Sequence, residues 1–133
     1  MNHAYLLKYL RIALVVFGSI MAFRFYPLTL IWPSGWIWHP GQSDYLMMIM
    51  GIYATLGVFL LFAARDPVKH LSLIWFTVWS SLVHGGIMAI QSLSNTNHAG
   101  HLLGDVPALL IVAMVFALLT PRGDKSIVEH TET

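Results

Sequence analysis

The sequence predicts an all-α fold, an antiparallel four-helix bundle set in a lipid bilayer, and three observations predict it. Composition comes first: 57% of the 133 residues are apolar and 10% are charged, whereas roughly 25% are charged in a soluble domain. Mean hydropathy is correspondingly high, at +0.70. Second, four apolar runs stand at about 6–26, 44–64, 68–93 and 100–120, each near the roughly 20 residues that cross the hydrocarbon layer. Third, the charged turn at 65–70 is too tight for anything but an antiparallel hairpin between the second and third runs. Residues 1–121 therefore read as one membrane domain, and 122–133, polar and of mixed charge, as a disordered cytoplasmic tail.

Several classes fall away on composition. No cysteine is present, which removes disulfides, thiolate metal sites and a cysteine nucleophile. A net charge of +1 provides no basic surface for nucleic acid. Lys8 and Arg11 ahead of an apolar stretch imitate a signal peptide, but Arg24 interrupts it, no small-x-small cleavage site follows, and three more spans come after.

The first span begins near Leu6 and is expected to close at Tyr26, because Pro27 disfavours helical geometry in the residue before it. Arg24 lies about one turn inside its far end and reads as a snorkelling side chain. Residues 28–43 form a loop without Lys or Arg that carries Trp32, Trp36, Trp38 and His39. Tryptophans collect at the headgroup level, so an interfacial lid is the expectation, with an aromatic box for a cation as the sharper reading.

The second span has no charged residue after Asp44, and its Gly51, Ala54, Thr55 and Gly57 offer a smooth surface for a neighbouring helix. Met47, Met48 and Met50 read as gap-fillers rather than copper ligands. The charged turn Arg65, Asp66, Pro67, Lys69, His70 makes a tight hairpin in which Asp66 can cap the next helix. Lys8 and Arg11, Arg65 and Lys69, and Arg122 and Lys125 share one side, against no Lys or Arg in 28–43 or 94–100. Both termini are therefore expected in the cytoplasm.

The third span repeats a small residue every four positions, at Thr77, Ser81, Gly85 and Ala89, a groove for another helix. Ser80 and His84 lie four apart on an adjacent face. Residues 94–100 read as a polar turn. A fourth span starting at Asp105 has about 15 residues, roughly 23 Å; either helix begins near Gly100 and kinks at Pro107, or a short helix starts with Asp105 as its cap.

The stretch 77–107 thus concentrates the unusual chemistry. His84, His101, Asp105 and Arg24 all fall in the external half, with His101 and Asp105 at i and i+4. Three readings compete. In the first, Asp105 pairs with Arg24 and His84 hydrogen-bonds Ser80 or a backbone carbonyl, fixing helix register. Alternatively His84 and His101 ligate haem or a divalent metal with Asp105 beside them, although a His-x3-His spacing is absent. In the third, Asp105 with a neighbouring histidine forms a ligand or proton site. No nucleophile elbow, phosphate loop or HExxH motif names a reaction.

The segments GIYATLGVFLLFAARDP (51–67), LSLIWFTVWSSLVHGGIMAIQ (71–91) and GHLLGDVPALL (100–110) resemble a family of small bacterial four-span membrane proteins defined only as a domain of unknown function. Size and span count are more distantly similar to DoxX-like proteins. The resemblance implies the four-span fold and a bacterial inner-membrane address, without an activity. The expected role is a non-enzymatic accessory or interaction subunit, forming a homo-oligomer or part of a larger membrane complex. The alternative is a redox, small-lipophile or proton-binding protein that uses His84, His101 and Asp105.

Overall fold

A computed structural model describes residues 2–38 and 44–122; the tail reading for 122–133 lies outside the described residues beyond Arg122. The fold is all-helical, with four long apolar helical stretches packed antiparallel: His3–Ile31, Asp44–Ala63, Pro67–Ser94 and Thr96–Leu119. Each is long and apolar enough to cross a membrane.

The first stretch is longer than its sequence suggested at both ends. Helix α1 (His3–Ser19) is preceded by Asn2, whose side chain accepts from the Ala4 amide. A π-helical turn, Ile20–Arg24, follows, and α2 (Phe25–Ile31) carries the chain straight through Pro27. Pro27 ends nothing because it stands in the first turn after the π turn, where the hydrogen-bond register is already changing and its missing N–H is least needed. Part of the expected 28–43 loop is thereby helix. A further short turn, α3 (Pro33–Trp36), starts on Pro33 at its first position.

Helix α4 (Asp44–Ala63) matches its apolar run. In the hairpin that follows, Asp66 sits at the start of the 3₁₀ turn Pro67–His70 but makes no cap bond. Its carboxylate takes the Lys69 ammonium at 3.0 Å instead, and that hydrogen bond holds the Asp66 carboxyl below the ordinary carboxylate range. Helix α5 spans Leu71–Ser94. The expected 94–100 turn is a 3₁₀ helix, Thr96–Leu102, with the Asn95 side chain accepting from the Asn97 amide at its start.

Helix α6 (Asp105–Leu119) is the short alternative, beginning five residues after the 100–120 boundary. Gly104 occupies the cap position and Asp105 is the first helical residue, which frees the carboxylate for other partners. Pro107 falls in the first turn, where an N–H has no intrahelical acceptor to lose. The 3₁₀ helix supplies the remaining length.

Around the bundle the neighbours run α4, α1, α6, α5; the α5–α6 pair is the most extensive, and α4 and α5 touch least. Leu10, Leu14, Leu60, Ile74, Val78 and Phe116 fill the core at the end that holds the N-terminus, with Phe17 and Phe116 edge to face at 5.5 Å. A smaller cluster, Met88, Val106 and Leu109, lies toward the opposite, distal end. The outside is clad in apolar side chains such as Phe23, Ile31 and Leu118, the pattern of a bundle solvated by lipid.

Close helix approach rests on glycine. A Cβ on Gly57 would lie 2.5 Å from the Ala22 nitrogen and 2.6 Å from the Gly18 oxygen, so α4 lies backbone to backbone on α1 and the π turn. At the distal end a Cβ on Gly100 would come within 2.5 Å of the Ser34 oxygen, and one on Gly104 would collide with the Gly35 carbonyl. Those contacts clasp α3 against the 3₁₀ helix. On α5, Thr77, Ser81 and Gly85 are buried; Gly85 faces Leu109 and Leu110 of α6, and Ala89 packs on the Met88, Val106, Leu109 cluster. Gly51 differs: among the described residues nothing lies within 4 Å of its Cβ position, so it packs against none of the described helices.

Candidate functional site

The distal half of the bundle is built around Asp105. Because α6 starts there, its side chain leaves the helix at the junction with the 3₁₀ turn, where His101 lies four residues back. His101 Nδ1 and Asp105 Oδ2 are 2.9 Å apart, and both residues are almost fully buried. Trp38 donates its indole N–H to the same oxygen at 3.2 Å. Its ring stacks on His101, with centroids 4.1 Å apart and planes 19° from parallel, and it also meets His98 at 4.7 Å. Indole, imidazole and carboxylate thus form one buried latch that ties the segment after α3 to the start of α6.

His84 belongs to a second polar pair. Its Nδ1 lies 2.5 Å from the Tyr53 hydroxyl, and the two rings are nearly parallel. This hydrogen bond bridges α4 and α5, the seam where the helices touch least. Ser80, the partner expected from spacing, donates instead to the Thr77 carbonyl at 3.3 Å, the local bond that an i−3 carbonyl offers a helical serine.

Both groups open onto a cavity of about 530 Å³ between the four spans, within the range of small-molecule sites. Its lining is overwhelmingly apolar, from Phe17, Met21, Leu28, Leu109 and Val112 among others. Polar atoms enter from Trp38, Tyr53, His84, Gln91 and Asp105. Phe25 forms an aromatic wall: it meets Trp36 edge to face at 5.6 Å and Tyr53 at 5.4 Å.

Arg24 is the sequence candidate that does not join this group. It is exposed, at the end of the π turn, and among the described residues the ion pairs are Lys69–Asp66 and His101–Asp105. A π turn takes in one more residue than an α-helical turn, which rotates the following side chains away from the face that 3.6-residue counting assigns them. His101 and Asp105 are brought together, and His84 lines the same cavity from α5, the helix packed against α6. Among the described residues no three His, Asp or Glu side chains stand close enough to share a metal ion; His84 and His101 each have their Nδ1 engaged by a different neighbour.

Two members went unseen in the sequence. Tyr53 sits mid-span among small and aliphatic residues, where a phenol is easily taken for packing. Trp38 stood out only as one of several interfacial tryptophans. The signal that could have found Tyr53 is its depth: a hydroxyl in the middle of a span needs a partner.

A short chain folded into four membrane-length helices around an apolar cavity with a few buried polar groups is a small multi-span membrane protein. It belongs to a family of unknown function (DUF6632), whose model matches residues 4–128. No curated protein and no solved structure matches the chain.

Proposed function

We propose that the protein is a non-enzymatic binding protein of the bacterial inner membrane that holds a small lipophilic molecule between its spans. The observation that carries this reading is the cavity itself. A space of about 530 Å³ walled by hydrocarbon and aromatic rings forfeits dispersion contacts when empty, and the few polar groups at its edge fix the orientation of an occupant rather than supply reactive machinery. The loosely packed α4–α5 seam, bridged by Tyr53 and His84, is the entry route from the bilayer. An accessory role in a larger complex is a second reading, favoured by the open face of α4 around Gly51, where a helix of another chain could approach closely.

Ala108 lines the cavity from α6, so Ala108→Trp should fill it. Mass spectrometry of molecules that co-purify with the full chain in mild detergent is expected to show a defined small lipophile with the wild type and none with the variant, at unchanged helical circular dichroism. The same lipid profile from both proteins would refute the binding role.

A further inference from the structure

Tyr53 and His84 hold one more hydrogen than they spend on each other. A phenol and a neutral imidazole carry one O–H and one N–H between them, and the bond between the Tyr53 hydroxyl and His84 Nδ1 uses a single donor. With the hydroxyl donating to Nδ1, the Nε2–H is left over; with Nδ1 donating instead, both the phenol hydrogen and Nε2 go without. The first arrangement strands fewer groups, which apolar surroundings favour. Among the described residues neither side chain makes a second hydrogen bond, and His84 Nε2, unlike Asp105 Oδ1, is not sealed off inside the protein.

Helix geometry turns that nitrogen toward the cavity. From α5 the lining is His84, Met88 and Gln91, and from α4 it is Leu46, Ile49 and Tyr53, spacings that each define one helix face. At about 100° per residue His84 falls between Met88 and Gln91 when α5 is viewed end on, so its ring leaves the helix into the cavity. Nδ1 is the nitrogen bonded to Cγ and is taken by Tyr53; Nε2 lies on the far side of the ring, further from the backbone.

The rest of the lining says which acceptor suits a lone N–H. Among the described lining residues there is no Lys or Arg, so an anionic head group would be buried without a counter-charge, at a cost well above what one hydrogen bond returns. An ammonium would set its own hydrogens against the imidazole's. A carbonyl oxygen accepts the bond and brings no hydrogen that needs a partner in turn.

Resting on the reading of the cavity as a lipophile site, we infer that its ligand is a neutral lipophile with a carbonyl group, whose oxygen accepts from His84 Nε2–H while its apolar body lies among Phe17, Met21, Leu109 and Val112. Tyr53 acts through His84: by donating to Nδ1 it keeps the hydrogen on the nitrogen that meets the ligand.

The test uses benzylacetone with an isotopically labelled carbonyl, and butylbenzene as the matching hydrocarbon, each added to the detergent-purified full chain. Tryptophan fluorescence follows binding, since Trp36 and Trp38 line the cavity. Isotope-edited infrared spectra follow the carbonyl stretch, which falls when the oxygen accepts a hydrogen bond. A labelled band below that of the ketone in protein-free micelles is expected with the wild type and with Gln91→Leu, which removes the amide donor of the same wall, and no such band with His84→Phe. His84→Phe should bind the ketone roughly fivefold more weakly and butylbenzene as before. In wild-type protein with labelled histidine, the ketone and not butylbenzene should shift a histidine Nε2 resonance, so the assignment does not hang on the folding of the variant. Binding of the ketone without the lowered band or the Nε2 shift, loss of the band in Gln91→Leu, or its survival in His84→Phe overturns the carbonyl assignment and leaves the lipophile site standing. Binding of neither probe overturns both.

Discussion

Removing the Asp105 side chain strips two donors of their acceptor at once. In Asp105→Ala the buried His101 imidazole and the half-buried Trp38 indole lose the oxygen they share; an unsatisfied buried group costs about 1–3 kcal/mol, and the half-buried indole less. Thermal unfolding in detergent should show that loss, and Asp105→Asn, which keeps one acceptor oxygen, should lose less. An unchanged melting temperature in the alanine variant would mean that the latch contributes nothing to stability. At this scale the sequence was partly legible. The four-residue spacing of His101 and Asp105 brought them onto one face even though the intervening segment is not α-helical. Their other partners were not legible, because Trp38 reaches Asp105 across 67 positions and nothing local encodes that meeting. Arg24 was the attractive partner on charge alone, and charge carries no information about which way a side chain points.

Among the helices, the glycines separate into two kinds that composition cannot distinguish. Gly57→Ala places a methyl 2.5 and 2.6 Å from two backbone atoms of the first span, where no rotamer can give way, so α4 must lift from α1; overpacking of this kind costs typically about 1–3 kcal/mol. Gly51→Ala meets open space and should be neutral or slightly stabilising through helix propensity. Parallel melts of the two variants check the pair, and equal loss in both would mean that the Gly57 contact is not rigid. Helix existence and type were readable because hydrophobic length decides them in lipid. Boundaries were less so. The π turn, the passage through Pro27 and the 3₁₀ helix before α6 are backbone adjustments set by packing, and residue periodicity is blind to them. The four-residue repeat Thr77, Ser81, Gly85, Ala89 was visible because small residues in register mean close approach.

For the molecule as a whole, we propose one orientation from the cationic residues. Arg11 lies close enough to the Asp66 hairpin to act on its carboxyl, so the start of α1 and the α4–α5 turn share an end of the bundle. With Lys8, Arg65 and Lys69 at that same end and no Lys or Arg between Leu28 and Trp38, the bias toward retention of positive charge on the cytoplasmic side applies. Reporter fusions at the C-terminus and within the 94–100 segment are expected to give cytoplasmic and external signals respectively; an external C-terminal signal would reverse the assignment.

The clasp of Gly100 and Gly104 on Ser34 and Gly35 also bears on the order in which the chain matures. Synthesis delivers the first hairpin before the second exists, so α1, α2 and α4 enter the bilayer with one wall of the cavity missing. The carbonyls of α3 then have nothing to seat against. Only when α5 and α6 arrive does the latch around Asp105 close, and with it the last boundary of the cavity. On the proposed binding role, the site is therefore complete only once the second hairpin is in place.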